Sequence, residues 1–456
     1  MDRSLLRRFA SEKTLFYLSA LIILLMPVSE VIAEVLSHFH PKILPSIFHP
    51  FFFGLYGVIG TLAAVLYKFG ELTDEKTRGK WYAPDVFYLL MILFMALSAV
   101  FSVNPGVYAR DYLLNSENPL DFLGYFSLFY AGSRIKSPQY RKKLIVVFLI
   151  VEVMHGIAAF FQTFNIQIAY SLLTWHSGSS YGLTPNSNYY GGLAVFMLAC
   201  ASGVFLFSEL FGAKKHLQVL SVVFAGFVFY TMMGSRARLT WPGFAAMVFF
   251  YLASGLVMIK SNIDRAKLKR YFIRLSVLFL VFTAVFAVTH LFTDYIIEEV
   301  TRTQMEVDGK LDNGIGSDRL LLWRDGLESV PRHWATGIGL DNYYQVFIEK
   351  YGNADYAFFR AKAHNEFINT LVTQGVFAFA FYMFVFVRTA VINVKKVFKS
   401  DNEEARTIRW LLLAMFITYL AQAFFNTSVR SVAPHFWLVL GLLNTSERPL
   451  ALNSKK

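Results

Sequence analysis

The sequence predicts an all-α, polytopic transmembrane helical bundle of about 12 spans, with one large, partly helical loop on its outer side. Three observations predict it. The chain is 55% hydrophobic and only 16% charged, against ~25% charge in an average soluble domain. Apolar runs long enough to cross ~30 Å of hydrocarbon recur along the whole length. The basic residues gather on alternate loops, with thirty of the 43 Lys and Arg on one side. That is the bias of a membrane protein toward its cytoplasmic face.

The first apolar run, 15–36, follows Arg3, Arg7, Arg8 and Lys13. It is too long for the apolar core of a signal peptide, so it reads as an uncleaved span. The next expected spans are 51–68, 85–103, 118–133, 144–165, 189–210, 217–234, 239–259 and 272–292, and the last are 365–388, 410–425 and 430–446. Span four has a short apolar core that contains Gly124 and Gly132. Loop charge decides in its favour, because omitting it inverts every later loop and destroys the bias. Both termini are then expected in the cytoplasm. Three regions follow: residues 1–292 with nine spans, the outer loop 293–363 with short amphipathic helices, and 364–456 with three spans and a cytoplasmic tail. The single cysteine, Cys200, excludes a disulfide framework or a Cys-based metal site. The net charge of +12 sits in interhelical loops, so no nucleic-acid partner is expected.

Loops as long as 293–363 usually carry function or structure of their own. Ser317 is a plausible N-cap for a helix from Asp318 to about Val330, stopped before Pro331. Leu320, Leu321, Trp323 and Leu327 form a stripe at helical spacing, expected to lie on the membrane or the bundle. Gly337-Ile338-Gly339 makes a turn, and a second helix is expected from Asp341 to Lys350.

Several polar residues break local expectation. Arg236 and Arg238 stand in an outer loop against the charge bias; they can snorkel to lipid phosphates or hold an anionic ligand through their planar forks. Arg319 and Arg324 lie on the loop helix, as solvated charges or as anion ligands. His364 precedes Asn365 and Glu366 where the chain re-enters the membrane, and imidazole can take a proton near neutral pH. Glu152 and His155 share a face of span five and read as interhelical glue. Glu30 and Glu34 sit at the outer end of span one; a metal site at His38 and His40 is poorly supported. There is no Asp-x-Asp pair, Walker loop, Gly-x-Gly-x-x-Gly or Gly-x-Ser-x-Gly, so nothing points to a nucleotide or a serine nucleophile.

Taken in order, four segments resemble the O-antigen ligase and polymerase superfamily. They are Gly182-Leu-Thr-Pro185-Asn186-Ser-Asn188, Gly234-Ser235-Arg236-Ala237, Gly316-Ser-Asp-Arg319 followed by Trp323, and Gly337-Ile-Gly339-Leu-Asp-Asn342 with His364-Asn365-Glu366 and Gly375. The resemblance spans about residues 180 to 380. Ala378 replaces a second glycine common in the family, and Arg238 has no clear counterpart. The resemblance implies a metal-independent, inverting glycosyltransferase of the bacterial inner membrane with a periplasmic site and no cofactor. Its donor is a glycan on undecaprenyl diphosphate; its acceptor is lipid A–core for a ligase or another lipid-linked repeat unit for a polymerase. Arg236 and Arg319 then clamp the diphosphate and His364 deprotonates the acceptor hydroxyl. Arg238, Arg324, Asn186, Asn188, Asn365 and Glu366 are expected to bind substrate. A transporter of lipid-linked sugar is the competing class. It predicts paired repeats and discontinuous midplane helices.

Overall fold

The computed structural model describes residues 11–39, 44–74, 80–105, 117–164, 166, 179–212, 214–260, 264–292, 301, 304–305, 319–352, 361–399 and 402–445. Within them the chain is helical and has no strand. We number the helices α1 Glu12–Phe39, α2 Leu44–Thr73, α3 Ala83–Val100, α4 Pro119–Arg134, α5 Pro138–Gln162, α6 Ser187–Leu206, α7 Lys215–Gly234, α8 Thr240–Lys260, α9 Arg265–Phe292, α10 Arg319–Ser329, α11 Gln345–Tyr351, α12 Glu366–Lys399, α13 Glu403–Ala423 and α14 Ala433–Leu443. Each of the twelve expected spans falls on a helix. Nine of these are long and apolar enough to cross a membrane. The other three are α4 with 16 residues, α13 with its charged first turn, and α14 with 11.

These three are covered by protein. α4 buries nearly every residue from Asp121 to Arg134. Glycines bring its backbone against its neighbours: a Cβ on Gly132 would lie 2.7 Å from the Leu438 carbonyl of α14, and one on Gly124 would lie 3.4 Å from Gly57 of α2. Both ends of α4 are pinned. Asn118 caps its first turn, accepting from the Leu120 and Asp121 N–H groups at 2.8 and 3.1 Å. At that end Arg430 donates two hydrogen bonds of 3.0 Å to Asp121. At the other end Arg134 pairs with Asp85 of α3, and with Glu71 of α2 at 3.2 Å. α4 therefore runs from one end of the bundle to the other, as loop charge required of span four.

One end of the bundle gathers the interhelical segments 179–186, 235–239, 330–344 and 361–365. α10 and α11 cover it. Leu322, Ile338, Tyr343, Val346, Phe347, Ala363 and Val372 form a separate small core beneath them. α10 occupies most of the helix expected from Asp318, and a short 3-10 turn over Val330–Arg332 follows it; Ser317 and Asp318 lie outside the described residues. The expected apolar stripe is not the buried face. Leu322, Asp325, Gly326 and Ser329 are buried, whereas Leu320 and Leu327 are exposed. Gly326 lets Tyr343 pass close, and the Tyr343 hydroxyl donates to the Leu322 carbonyl at 2.6 Å. The second loop helix, α11, begins at Gln345 and not at Asp341, because Asp341 adopts the left-handed region (φ 57).

α12 is broken at Gly375, where φ is 83 and ψ is 174. The freed backbone is satisfied by the adjoining 334–339 strip. Val376 N–H donates to the Trp334 carbonyl at 2.7 Å, and Ile338 and Gly339 N–H donate to the Val372 and Thr373 carbonyls at 3.0 Å each. A break at this depth is stable only when protein supplies such partners. No side chain except glycine's fits, since a Cβ at Gly375 would run into the Ala335 carbonyl. Gly375→Ala should destabilise the protein by ~1–3 kcal/mol or more, read as a lower apparent melting temperature in detergent; an unchanged melting temperature would show that the 334–339 strip does not hold the break.

Candidate active site

Lys362, Ala363, His364 and Asn365 enter the bundle along a segment held by named partners on both sides of the imidazole. Buried Lys362 pairs with Glu117 at 3.0 Å, donates to the Ser428 carbonyl at 3.0 Å and lies 3.8 Å from Asp341. Ala363 accepts from Trp323 Nε1 of α10 at 2.9 Å and donates to Asn369 Oδ1 at 3.2 Å. Asn365 caps α12, accepting from the Phe367 and Ile368 N–H groups at 3.0 and 3.1 Å. His364 makes the turn between them at φ 49, a conformation a non-glycine residue keeps only when its surroundings hold it there.

Arg319 opens α10 one turn before Trp323, so both project from the same face. Trp323 packs edge-on against Phe424 at 5.9 Å. With Trp323 bonded to Ala363, Arg319 is within electrostatic reach of His364. Burial first, then the charges of Arg319 and Lys362, push the His364 imidazole down to about 4. It is therefore neutral at physiological pH.

The second basic segment lies across α6. Arg236 is exposed at φ 54. Its loop is fixed by Ser235, whose hydroxyl donates to the Met232 carbonyl at 2.6 Å and accepts from Ala237 N–H at 3.3 Å. The loop packs directly on Gly191 of α6, where a Cβ would lie 2.6 Å from that of Ala237. The preceding turn, 180–186, is bound to the same place. Ser180 N–H donates to the Gly234 carbonyl at 2.8 Å. Gln162 bonds Tyr181 and Gly182, and Leu183 N–H donates to His155 Nδ1 at 3.2 Å. His155 thus anchors a loop, a more specific role than the interhelical glue expected of it. Its partner on that face, Glu152, accepts from Tyr190 at 3.2 Å.

α6 joins the two groups. Gly191 faces the Arg236 loop, while Tyr189, two residues earlier, is within electrostatic reach of Lys362, Glu117 and Asp341. The structure brings Arg319 to His364 and sets Arg236 across the first turns of α6. Arg238 is half-buried in the Arg236 loop and Asn188 half-buried in the first turn of α6. Asn186 is the α6 N-cap, accepting from Asn188 N–H at 2.7 Å. Glu366 accepts from the Tyr419 hydroxyl at 2.8 Å. Arg324 turns to solvent and pairs within its own helix, with Asp325 at 3.0 Å and Glu328 at 3.8 Å.

Sequence reasoning passed over Lys362, Glu117, Asp341 and the Asp121–Arg430 pair. Burial, opposed by Lys362, pushes the Asp341 carboxyl up to about 7. With Glu117, Lys362 and Glu366 it lines a cavity of about 30 Å³, room for about two water molecules. The available signals were a lysine two residues before His364 and an acid beside the Asn118-Pro119 helix start. Among the described residues, no three His, Cys, Asp or Glu converge as metal ligands.

Together these features define a polytopic membrane protein with a basic site around a neutral histidine at one end of its bundle. Residues 221–383 match the family model described as O-antigen ligase. The match takes in Arg236, Arg319, His364 and the break at Gly375, and it supports the O-antigen ligase and polymerase superfamily as the one this chain resembles. That family covers ligases and related polymerases, which points to glycosyltransferase-type activity on lipid-linked glycans. No curated protein matches the chain.

Glu117→Gln leaves Lys362 buried without its strongest counter-charge. The loss should be about 3–5 kcal/mol, measured as apparent thermal stability in detergent. Removing both charges (Glu117→Gln with Lys362→Met) should recover part of it, because no uncompensated buried cation is left. No recovery would mean that the pair is not what holds the segment.

Proposed function

We propose that the chain is a metal-independent, inverting glycosyltransferase that moves O-antigen glycan from undecaprenyl diphosphate to lipid A–core, an O-antigen ligase of the bacterial inner membrane. The observation that carries the reading is that Arg319 lies within electrostatic reach of His364, which is held at positive φ, in a stretch that matches the O-antigen ligase family. The charge bias of the loops puts both termini in the cytoplasm and this end of the bundle in the periplasm. Polymerisation of lipid-linked repeat units is the alternative, since the matched family covers both.

In this reading the acceptor hydroxyl attacks the anomeric carbon. The new glycosidic C–O bond forms as the bond to the carrier phosphate breaks, with inversion. The diphosphate leaves as an anion, and its charge needs fixed cations more than a proton, a role for Arg319 and Arg236. His364 accepts the hydroxyl proton. At rest the imidazole is a weak base because burial first, and then the charges of Arg319 and Lys362, oppose its protonation. A diphosphate bound at Arg319 offsets that field and raises its basicity. Acceptor deprotonation is then coupled to donor binding. Arg238, Asn188 and Glu366 would contact the sugars or the carrier, and Asn186 and Asn365 would position them as helix caps. Arg324 is the weakest of the proposed contacts, because its own helix supplies its partners.

Purified protein given carrier-linked glycan and lipid A–core should transfer sugar in EDTA. His364→Ala should lower the rate ~10²–10⁴-fold, and Arg319→Lys, which loses the planar fork, by at least ~10²-fold. Full activity of either variant, or dependence on a divalent ion, sinks the mechanism. A ladder of products on the carrier with none on lipid A identifies a polymerase, and translocation without transfer a transporter.

A titration separates the charge argument from the activity. In the donor-free protein, NMR of the His364 ring should give a midpoint near 4. In Arg319→Gln the midpoint should move up, because removing a neighbouring cation makes the imidazolium easier to form. An unmoved midpoint would place Arg319 too far from His364 to act with it.

A further inference from the structure

The opposite end of the bundle contains a cleft that this chemistry does not use. α6 runs out at Leu206 into a 3-10 turn over Ser208–Phe211, and α8 ends where α9 and α13 begin. Between them lies a cavity of about 690 Å³, within the ~300–1,000 Å³ of small-ligand sites. Its wall is apolar, with Leu206, Met258 and Trp410 foremost. Its rim is ionic. Lys267, Arg270, Arg274 and Arg406 face Glu209, Glu403 and Glu404, and Lys142 pairs with Glu404, so cations outnumber carboxylates and the rim is net positive.

The carboxylates are engaged. Glu209 accepts from Arg270 at 2.7 Å, Glu404 pairs with Lys142 at 2.6 Å, and Glu403 pairs with Lys267 at 2.7 Å, which ties α13 to α9. Among the described residues, Arg406 has no carboxylate at ion-pair distance. Half-buried, it stands one turn before Trp410 on the same face of α13. A cation directly above an aromatic, apolar wall suits an amphiphile with a negative head and a hydrocarbon body.

We propose that this cleft holds a membrane phospholipid by its singly charged phosphodiester, with the phosphate at Arg406 and Arg270 and the first acyl carbons against Trp410, Met258 and Leu206. Basic pockets between helix ends hold anionic headgroups by this chemistry. The charge decides between occupants. A soluble polyanion would meet three carboxylates, and a zwitterionic lipid would leave the positive excess unanswered. An anionic phosphodiester lipid answers it at Arg406, which has no carboxylate at ion-pair distance among the described residues. The lipid would secure α6, α9 and α13 together without touching His364.

The test is native mass spectrometry of the full-length, detergent-solubilised protein titrated with phosphatidylglycerol, phosphatidylcholine or free glycerol phosphate. Phosphatidylglycerol should be retained about tenfold better than phosphatidylcholine, as expected for one charge-assisted contact. Arg406→Ala should abolish that preference. Thr407→Trp, which fills the cleft, should weaken retention of both lipids while circular dichroism stays helical. Equal retention of the two lipids, or an intact preference in Arg406→Ala, overturns the site. Competition by glycerol phosphate would make it a soluble-phosphate site and overturn the lipid assignment.

Discussion

The ion pair between Glu117 and Lys362 joins the start of α4, a largely buried helix, to the segment that carries His364. Both partners are buried, and Glu117 also accepts from Tyr125 at 2.8 Å and Ser428 at 3.0 Å. Burying such a pair does not guarantee stability, but removing one partner is costly. Its consequence here is positional. With Lys362 fixed on one side and Asn365 committed as a cap on the other, His364 can only make the turn at positive φ. Trp323 then draws α10 onto the same segment, and Arg319 comes with it.

The break at Gly375 supports that arrangement from below. A continuous helix would offer the loop segments no backbone partners. By opening α12, the chain exposes carbonyls at Val372 and Thr373 that the 337–339 strip uses, and Ser98 of α3 donates to Thr373 at 2.8 Å. The covering layer is therefore hydrogen-bonded to the bundle and does not depend on apolar contact alone. The site residues are positioned by rigid partners even though they stand on loops.

The helices were legible in the sequence because hydrocarbon forces long apolar runs. α4 was the exception. Its apolar core is short because neighbouring helices cover it, and only the balance of loop charge revealed it. Local patterns also singled out His364, the Arg236 loop and the short helix of Arg319, and the structure places all three among the segments at one end of the bundle. They failed on the buried face of α10, where Asp325, Gly326 and Ser329 point inward, since hydropathy cannot anticipate a polar face packed on Tyr343 and bonded to Lys350 and Tyr351. Nor could local pattern pair Glu117 with Lys362, because the two stand 245 positions apart. On the loop-charge topology Arg430 falls outside, against the bias of the basic residues. Its pairing with Asp121 explains why it is there.

The bracing of α4 also sets an order on biogenesis. Asp121 lies 309 positions before Arg430, and Glu117 lies 245 before Lys362. During synthesis these carboxylates emerge long before their partners exist, and an unpaired buried charge is expensive. A ribosome that stalls before residue 430 leaves a chain with nine long apolar helices and an uncompensated acid at the mouth of the bundle. The pairs that brace the finished bundle are therefore complete only once residue 430 has been added.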